Sequence, residues 1–138
     1  MNYWLIKSEP SVYAFEQLQR DDSTVWDGIR NYQARNNLRT MAVGDQCLYY
    51  HSNEDRAVVG IATVSAIAFP DPTADSDQWL AVEVKPGAAF VHPVTLAAMK
   101  ADAALAGMSL IRQSRLSVCP VTHEEFKHVC ELGGAGHS

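Results

Sequence analysis

The sequence predicts a single α+β domain in which about five strands form a small, mostly antiparallel β-barrel or curled sheet surrounded by helices. Three observations predict this class. The 138 residues suit one domain, and the 47% of hydrophobic residues can bury a core without metal or disulfide staples. Segments with strand and helix patterns interleave along the chain. The helices between strands are too few and too short for a doubly wound parallel sheet.

The N-terminal segments predict a strand followed by a helix. Tyr3–Ser8 is a short apolar run, and Pro10 ends it because proline cannot donate to a sheet ladder. Residues 11–20 then predict a helix from apolar residues at helical spacing. These residues are Val12, Phe15 and Leu18.

The stretch WDGIRNYQARNNLR (26–39) concentrates aromatic, arginine and amide side chains in an acidic chain. Asp27 and Gly28 form a turn signal, which leaves Trp26 in a connection. The residues after it predict a helix with two different faces. The core face is Ala34, Leu38 and Met41, and the polar stripe is Tyr32, Arg35, Asn36 and Arg39.

The middle of the chain predicts three strands. A Gly-Asp turn precedes the aromatic run 46–52, and the β-branched run 56–70 has Gly60 as a possible bend. A polar loop over 71–77 follows. Residues 79–90 alternate apolar and polar side chains, which is typical of a half-buried strand.

The C-terminal third predicts a helix, a short strand and a closing helix. Thr95 is the expected N-cap of the helix over 95–105, and residues 116–121 read as the last strand. Thr122 and Glu125 form a capping-box pattern for the closing helix. The predicted domain covers residues 1–132, and residues 133–138 are expected to be a flexible tail.

Charge and cysteine usage restrict the class of protein. The formal charge of −5 gives no global basic field, so any contact with nucleic acid must come from a local patch or pocket. Three scattered cysteines without a C-x-x-C motif predict a reduced, cytoplasmic protein. Lys7 and Glu9 argue against a signal peptide, and no run approaches the roughly 18 apolar residues of a membrane span. We expect a monomer or small homo-oligomer.

Motifs for catalysis or metal binding are missing from the sequence. It has no Walker loop, no G-x-G-x-x-G and no H-E-x-x-H. The five histidines lack metal-ligand spacing, and Cys47 and Cys119 lie in apolar strand patterns. We therefore expect no catalytic residue, no metal and no cofactor.

Polar clusters at the predicted strand ends mark a candidate binding rim. KSEP (7–10), YHSN (50–53) and RQSRLS (112–117) would converge with the helical polar stripe at one end of a small barrel. Aromatic rings there could stack on a flat heteroaromatic group while amides and hydroxyls read its edge. Two simpler interpretations stay open. Trp26 could be a core anchor, and Arg35 and Arg39 could form a solvated helix face.

Seven segments in order resemble the EVE domain family of the PUA-like superfamily. They are YWLIKSEP, WDGIRNYQARNNLRTM, VGDQCLYYHSN, VVGIATV, FPDPTA, HPVTL and RLSVCPVTHEEF, and the resemblance runs from Tyr3 to about Leu132. It implies a β-barrel surrounded by helices. It also implies a pocket for a modified base flipped from DNA or RNA, with modified cytosines such as 5-methyl- and 5-hydroxymethylcytosine as the suspected ligands.

The resemblance also implies roles for individual residues. Aromatic surface would come from Trp26 and Tyr32, and hydrogen bonds to the base edge from Asn31, Gln33 and Asn36. Two walls of the pocket would be Lys7, Ser8 and Glu9 on one side and His51, Ser52 and Asn53 on the other. Backbone phosphates would meet Arg30, Arg35, Arg39, Arg112 and Arg115.

Two other functions remain open from the sequence. One is an enzyme acting on nucleic acid or a nucleotide, with His51, Glu9 and Lys7 as acid–base candidates. The other is a small-molecule binding or interaction module without a nucleic-acid role. An electropositive rim around the pocket favours nucleic acid over the second alternative, because phosphates are anionic.

Overall fold

The computed structural model describes residues 1–135, in which six strands form one sheet of order β2-β5-β4-β3-β1-β6. The strands are β1 (Tyr3–Ser8), β2 (Thr24–Trp26), β3 (Gln46–His51), β4 (Ala57–Pro70), β5 (Leu80–Thr95) and β6 (Val118–Val121). The helices are α1 (Pro10–Tyr13), α2 (Phe15–Asp21), α3 (Tyr32–Thr40), α4 (Leu96–Ala101), α5 (Ser109–Arg112) and α6 (His123–Gly133), with a 3₁₀ turn at Ala103–Leu105.

The sheet corrects two expectations and confirms a third. It has six strands instead of about five, and it is not closed, because β2 and β6 form its two edges within residues 1–135. The missed strand is β2, whose three residues are too few to show a repeat of two. The pairing of β1 with β3 is parallel and the other four pairings are antiparallel, so the mostly antiparallel α+β class is confirmed.

The long strands β4 and β5 curve through a series of bulges. Their register shifts four times, twice next to Gly60. A bulge bends a strand and increases its twist. The predicted bend at Gly60 is therefore confirmed, and the Phe15 ring lies against this glycine where a side chain would otherwise project.

The first predicted helix is split in two. α1 ends at Tyr13, and the extended backbone of Ala14 separates it from α2. Phe15 and Leu18 are buried as predicted, but Val12 is 70% exposed. The prediction of one helix over residues 11–20 with Val12 on its apolar face is therefore wrong, because the break at Ala14 reorients α1.

Helix α3 has the two faces that its periodicity predicts. Ala34, Leu38 and Met41 are buried, whereas the polar stripe faces outward. Asn31 caps the helix by accepting a hydrogen bond from the Ala34 N–H at 2.9 Å. The side chain of Asn37 donates to the Val118 carbonyl at 2.7 Å, which joins α3 to β6.

The C-terminal helix forms as the sequence predicts. Thr122 and Glu125 make both hydrogen bonds of the capping box. The helix continues through Gly133, which is buried against the Phe90 ring. Gly133, which was expected in the tail over 133–138, is therefore helical, and positions 136–138 of that tail lie outside the described residues. Among the residues described, no helix is long and apolar enough to cross a bilayer.

Candidate functional site

A cleft of about 480 Å³ opens between the end of β1, helix α1, strand β2 and the loop that follows β2. A cleft of this size is typical of small-ligand sites. Its lining combines aromatic, aliphatic and hydroxyl side chains with one lysine and one aspartate. The lining residues are Lys7, Ser8, Val12, Tyr13, Thr24, Val25, Trp26, Asp27, Gly28, Ile29 and Ser117. We call this site the cleft.

Trp26 lines the cleft from within the sheet. It is the last residue of β2 and pairs with Val82 of β5, which corrects its expected place in a connection. Its ring meets the rings of Tyr49 and Tyr13 edge-on, with centroids 5.4 and 6.5 Å away. Only 6% of its surface remains exposed. Trp26 is thus a packed anchor, and a small remaining part of its surface lines the cleft.

The loop after β2 is held in place by the buried carboxylate of Asp71. This carboxylate accepts hydrogen bonds from the Gly28 N–H at 2.8 Å and from Arg30 Nη1 at 2.9 Å. It also accepts from the backbone N–H and the hydroxyl of Thr73 at 2.7 and 2.6 Å. Burial acts to raise the pKa of Asp71, but the hydrogen bonds from Thr73, Arg30 and Gly28 outweigh burial and lower the pKa to about 2. Arg30, expected to meet phosphate, is therefore paired within the protein.

Lys7 lies where the cleft meets a neighbouring depression. Its Nζ donates to the Ser114 carbonyl at 2.8 Å and sits 5.9 Å from the centroid of the Tyr50 ring. Burial lowers the pKa of Lys7 below its ordinary value. Because the Ser114 carbonyl is neutral, the hydrogen bond leaves the charge of the Lys7 ammonium in place. Lys7 therefore adds positive charge to the cleft wall.

His51 is buried beneath this region and does not line the cleft. The backbone N–H of Phe15 donates to its Nε2 at 3.0 Å, so Nδ1 carries the proton toward the Asp55 carboxylate, also at 3.0 Å. Both ring nitrogens are thus used in holding α2 and the β3–β4 turn. Of the acid–base candidates for an enzyme, Lys7 lines the cleft, whereas Glu9 and His51 do not.

The polar stripe of α3 lies outside the cleft and forms a stack with the loop over 71–79. Tyr32 stacks on Trp79, with ring centroids 5.0 Å apart. Arg35 lies over the Tyr32 ring at 5.0 Å, and Arg30 lies over Trp79 at 5.7 Å. Arg35 also donates to the side chain of Asn36. The stack fastens the loop to α3, and Trp79 is a member that the sequence motifs did not single out.

Six of the remaining predicted residues fall in two depressions beside the cleft, whereas Glu9 and Arg39 line neither. Asn31 and Gln33 share a groove of about 390 Å³ with Arg112 and Arg115. Ser52 and Asn53 line a depression of about 410 Å³, which also includes Lys7 and Arg115. Arg39 is exposed on α3. Of the residues predicted for the base, the structure therefore brings Lys7, Ser8 and Trp26 together in the cleft.

Most of the cleft lining was missed by sequence reasoning. Asp27, Gly28 and Ile29 stand inside the motif WDGIR, so the motif itself was the available signal. Thr24 and Val25 were missed along with β2. The sequence pattern predicts one continuous helix through Val12 and Tyr13, but the backbone breaks at Ala14 and α1 lines the cleft.

The cleft chemistry suits a flat, partly polar ring. Apolar side chains and the edges of aromatic rings can contact its faces, and hydroxyls can hydrogen-bond to its polar atoms. The Asp27 carboxylate can accept hydrogen bonds from an amino group. The hydroxyls belong to Ser8, Thr24 and Ser117, and the carboxylate belongs to Asp27.

Comparison with known proteins gives matches over nearly the whole chain. A model of the EVE domain matches residues 2–132, a range that includes every residue lining the cleft. Thymocyte nuclear protein 1 from Homo sapiens is 32% identical over an alignment of 165 positions, which covers 95% of this chain and 73% of that protein.

Solved structures agree with this match. A crystal structure of a protein from Agrobacterium tumefaciens is 45% identical, with a TM-score of 0.96 and coverage of 100% of this chain and 97% of that chain. The crystal structure of human THYN1 protein in complex with 5-methylcytosine-containing DNA is 31% identical, with a TM-score of 0.89. That match covers 99% of this chain and 100% of the human chain.

Proposed function

Because this chain belongs to the EVE domain family, we propose that it binds DNA that carries a modified cytosine and takes that base into the cleft. One observation carries the proposal. The chain is similar over its whole length to human THYN1 protein, whose structure was solved in complex with 5-methylcytosine-containing DNA. The candidate ligands are 5-methyl- and 5-hydroxymethylcytosine.

The cleft residues support a cytosine ligand. A carboxylate is a suitable acceptor for the exocyclic amine of cytosine, and Asp27 supplies one at the cleft wall. Val12, Val25 and Ile29 supply the apolar surface that a 5-methyl group would contact. Tyr13 and Trp26 supply aromatic surface beside them, and base–aromatic contacts of the stacking kind are worth about 1–3 kcal/mol.

The charge of the chain favours selective binding over general DNA binding. Extruding a paired base costs a few kcal/mol. With a formal charge of −5, long-range attraction to DNA offsets little of that cost. Short-range contacts must supply the rest, and the cleft is where the modification would be sensed.

The test is a titration of fluorescent duplexes that differ only in one cytosine, which is unmodified, 5-methylated or 5-hydroxymethylated. We expect tighter binding of a modified duplex, and a loss of about tenfold in Asp27→Asn, in line with the 1–3 kcal/mol of one base-edge contact. Asp77→Asn is the matched control, because Asp77 is also exposed and lies outside the cleft. The same titration with RNA of matched sequence shows whether the protein prefers DNA or RNA.

Equal affinity for the three duplexes would refute the proposal. Asp27→Asn is preferred to a Trp26 variant because Trp26 is part of the core, and its removal would confuse loss of binding with loss of folding.

A further inference from the structure

A concentration of positive charge lies beside the cleft in this acidic protein. The depression that contains Ser52 and Asn53 is also lined by four cationic side chains, and no Asp or Glu is among its lining residues in the described part of the chain. The cations are Lys7, Arg56, Lys100 and Arg115. The whole chain has 11 Lys and Arg against 16 Asp and Glu, so this grouping is opposite to the overall charge. We call it the basic depression.

The four cations have no carboxylate partner among residues 1–135. The close contacts there between a basic and an acidic side chain are Arg30–Asp71, His51–Asp55 and His128–Asp102. Lys7 donates to the Ser114 carbonyl at 2.8 Å, and Arg56 Nε donates to the Asn53 carbonyl at 3.2 Å. Because carbonyls are neutral, these hydrogen bonds fix the side chains without cancelling their charge.

One carboxylate lies at the margin of the basic depression. Asp55 stands next to Arg56 in the chain and lines a smaller pocket with Arg56 and Lys100. Its carboxylate accepts a hydrogen bond from His51 Nδ1 at 3.0 Å. Asp55 makes no ion pair with Arg56 or Lys100, and it is one carboxylate beside four cations, so the basic depression keeps an excess of positive charge.

The turn that presents Arg56 has an unusual backbone. Arg56 has a φ of +48° and Asn53 has a φ of +72°, so two residues that are not glycine adopt left-handed conformations in one short turn. Such a conformation costs of order 1 kcal/mol for a residue such as arginine. The turn holds the Arg56 side chain at the basic depression in spite of that cost.

The basic depression is joined to the sites on either side of it. It shares Lys7 with the cleft, and it shares Ser114 and Arg115 with the groove that contains Asn31 and Gln33. A polymer of regularly spaced anions fits this arrangement better than a single free anion does. Lys and Arg beside Ser and Asn donors are the usual partners of phosphate oxygens.

We propose that the basic depression binds backbone phosphodiesters of the strand whose base enters the cleft, through Lys7, Arg56, Lys100 and Arg115. The proposal rests on the proposed function for the identity of the base. It adds Arg56 and Lys100, two residues outside the sequence motifs, as contacts that contribute affinity and leave the choice of base to the cleft.

The test compares the double variant Arg56→Gln/Lys100→Gln with the wild type in the duplex titration. Each phosphate contact adds about one unit to the slope of log K against log salt. We expect the slope to fall by about two units and the affinity at about 0.15 M salt to fall at least tenfold. The loss should be equal for modified and unmodified duplexes. The control Lys85→Gln/Lys127→Gln removes the same charge from exposed positions outside the basic depression, and it should keep the wild-type slope.

Neutral methylphosphonate linkages, placed one at a time near the modified cytosine, then locate the contact. One or two of these linkages should weaken DNA binding by the wild type and should not weaken binding by the double variant any further. The proposal is overturned if the double variant has the same salt slope as the wild type. It is also overturned if the methylphosphonate linkages weaken DNA binding by the double variant as much as by the wild type. Displacement of the DNA by inorganic phosphate at constant ionic strength would also overturn it, because that would indicate a free-anion site.

The two proposals can fail separately. If the salt slope falls in the variant but modified and unmodified duplexes bind equally in every protein, the proposed function fails and the phosphate site stands. If the modified duplex is preferred and the slope does not change, the phosphate site fails and the proposed function stands.

Discussion

The Asp71 carboxylate is the group that fixes the loop beside the cleft. It is 3% exposed and accepts hydrogen bonds from Gly28, Arg30 and Thr73. A buried carboxylate is stable only when such donors surround it. The conformation of the loop over 27–30 therefore depends on one side chain that lies more than forty positions further along the chain.

The lowered pKa of Asp71 predicts a loss of stability in acid. Because its folded pKa of about 2 is below the ordinary value of 3.8, the group stabilises the fold above pH 4, by about 2 kcal/mol. That contribution is lost as the pH falls from about 4 to 2. Urea unfolding at pH 6 and pH 3 should show the cost of Asp71→Asn shrinking by about 1 kcal/mol at the lower pH. Asp77→Asn should cost the same at both, and a pH-independent cost for Asp71→Asn would contradict the prediction.

Gly60 has no room for a side chain. An added Cβ would stand 2.5 Å from Cζ of Phe15, and Phe15 is only 3% exposed, so its ring cannot swing away. Gly60→Ala should lower the free energy of unfolding by about 1–3 kcal/mol through overpacking. Gly107→Ala is the control, because a Cβ there meets nothing within 4 Å.

A double-mutant cycle identifies the cause of that loss. In a Phe15→Leu background the cost of Gly60→Ala should be smaller, since the ring is gone. An equal cost in both backgrounds would show that the Phe15 ring is not responsible.

Strands and helices with several repeats were predictable from the sequence, and short ones were not. Helix α3 has nine residues, enough for Ala34 and Leu38, with Met41 at the C-cap, to appear as a repeat. Strand β2 has three residues and is specified by its pairing with β5, a long-range contact that no local pattern records. The break at Ala14 also leaves no signal in the local sequence pattern. The part of the cleft built on β2 and α1 was therefore the part that sequence reasoning missed.

The stack between α3 and the loop over 71–79 predicts a local effect. Trp79→Ala removes the ring between Tyr32 and Arg30, so the loop should become sensitive to proteolysis. The free energy of unfolding should fall by about 1–2 kcal/mol. Tyr32→Phe keeps the ring and should behave as the wild type in limited proteolysis. Wild-type resistance of the loop in Trp79→Ala would show that Asp71 alone holds it.

The three thiols report on the integrity of the fold as a whole. Cys47, Cys119 and Cys130 are buried in the core, and burial raises the pKa of each, to about 11 for Cys119 and Cys130. Since the thiolate is the reactive form, the native protein should not react with a thiol reagent at pH 8. Three equivalents should react once guanidinium unfolds the chain. A thiol that reacts at the rate of a free cysteine in the native state would contradict this prediction.

The charge distribution was only partly predictable. The formal charge of −5 and the need for a local basic patch follow from composition. The patch itself joins residues from four separate parts of the chain, which the sheet and its connections bring together. They are Lys7, Arg56, Lys100 and Arg115. Arginines that are close in sequence, such as Arg30 and Arg35, are instead engaged within the protein.

The position of β1 has a consequence for how the protein is made. β1 lies between β3 and β6, so the first strand of the sheet to be synthesised pairs on one side with the last. Ser117, which precedes β6, completes the cleft beside Lys7 of β1, whose backbone N–H donates to the Ser117 carbonyl at 3.1 Å. The nascent domain therefore has no finished cleft until synthesis has passed Ser117. Closing so distant a pair is also slow, which makes docking of β6 a candidate for the rate-limiting step of folding.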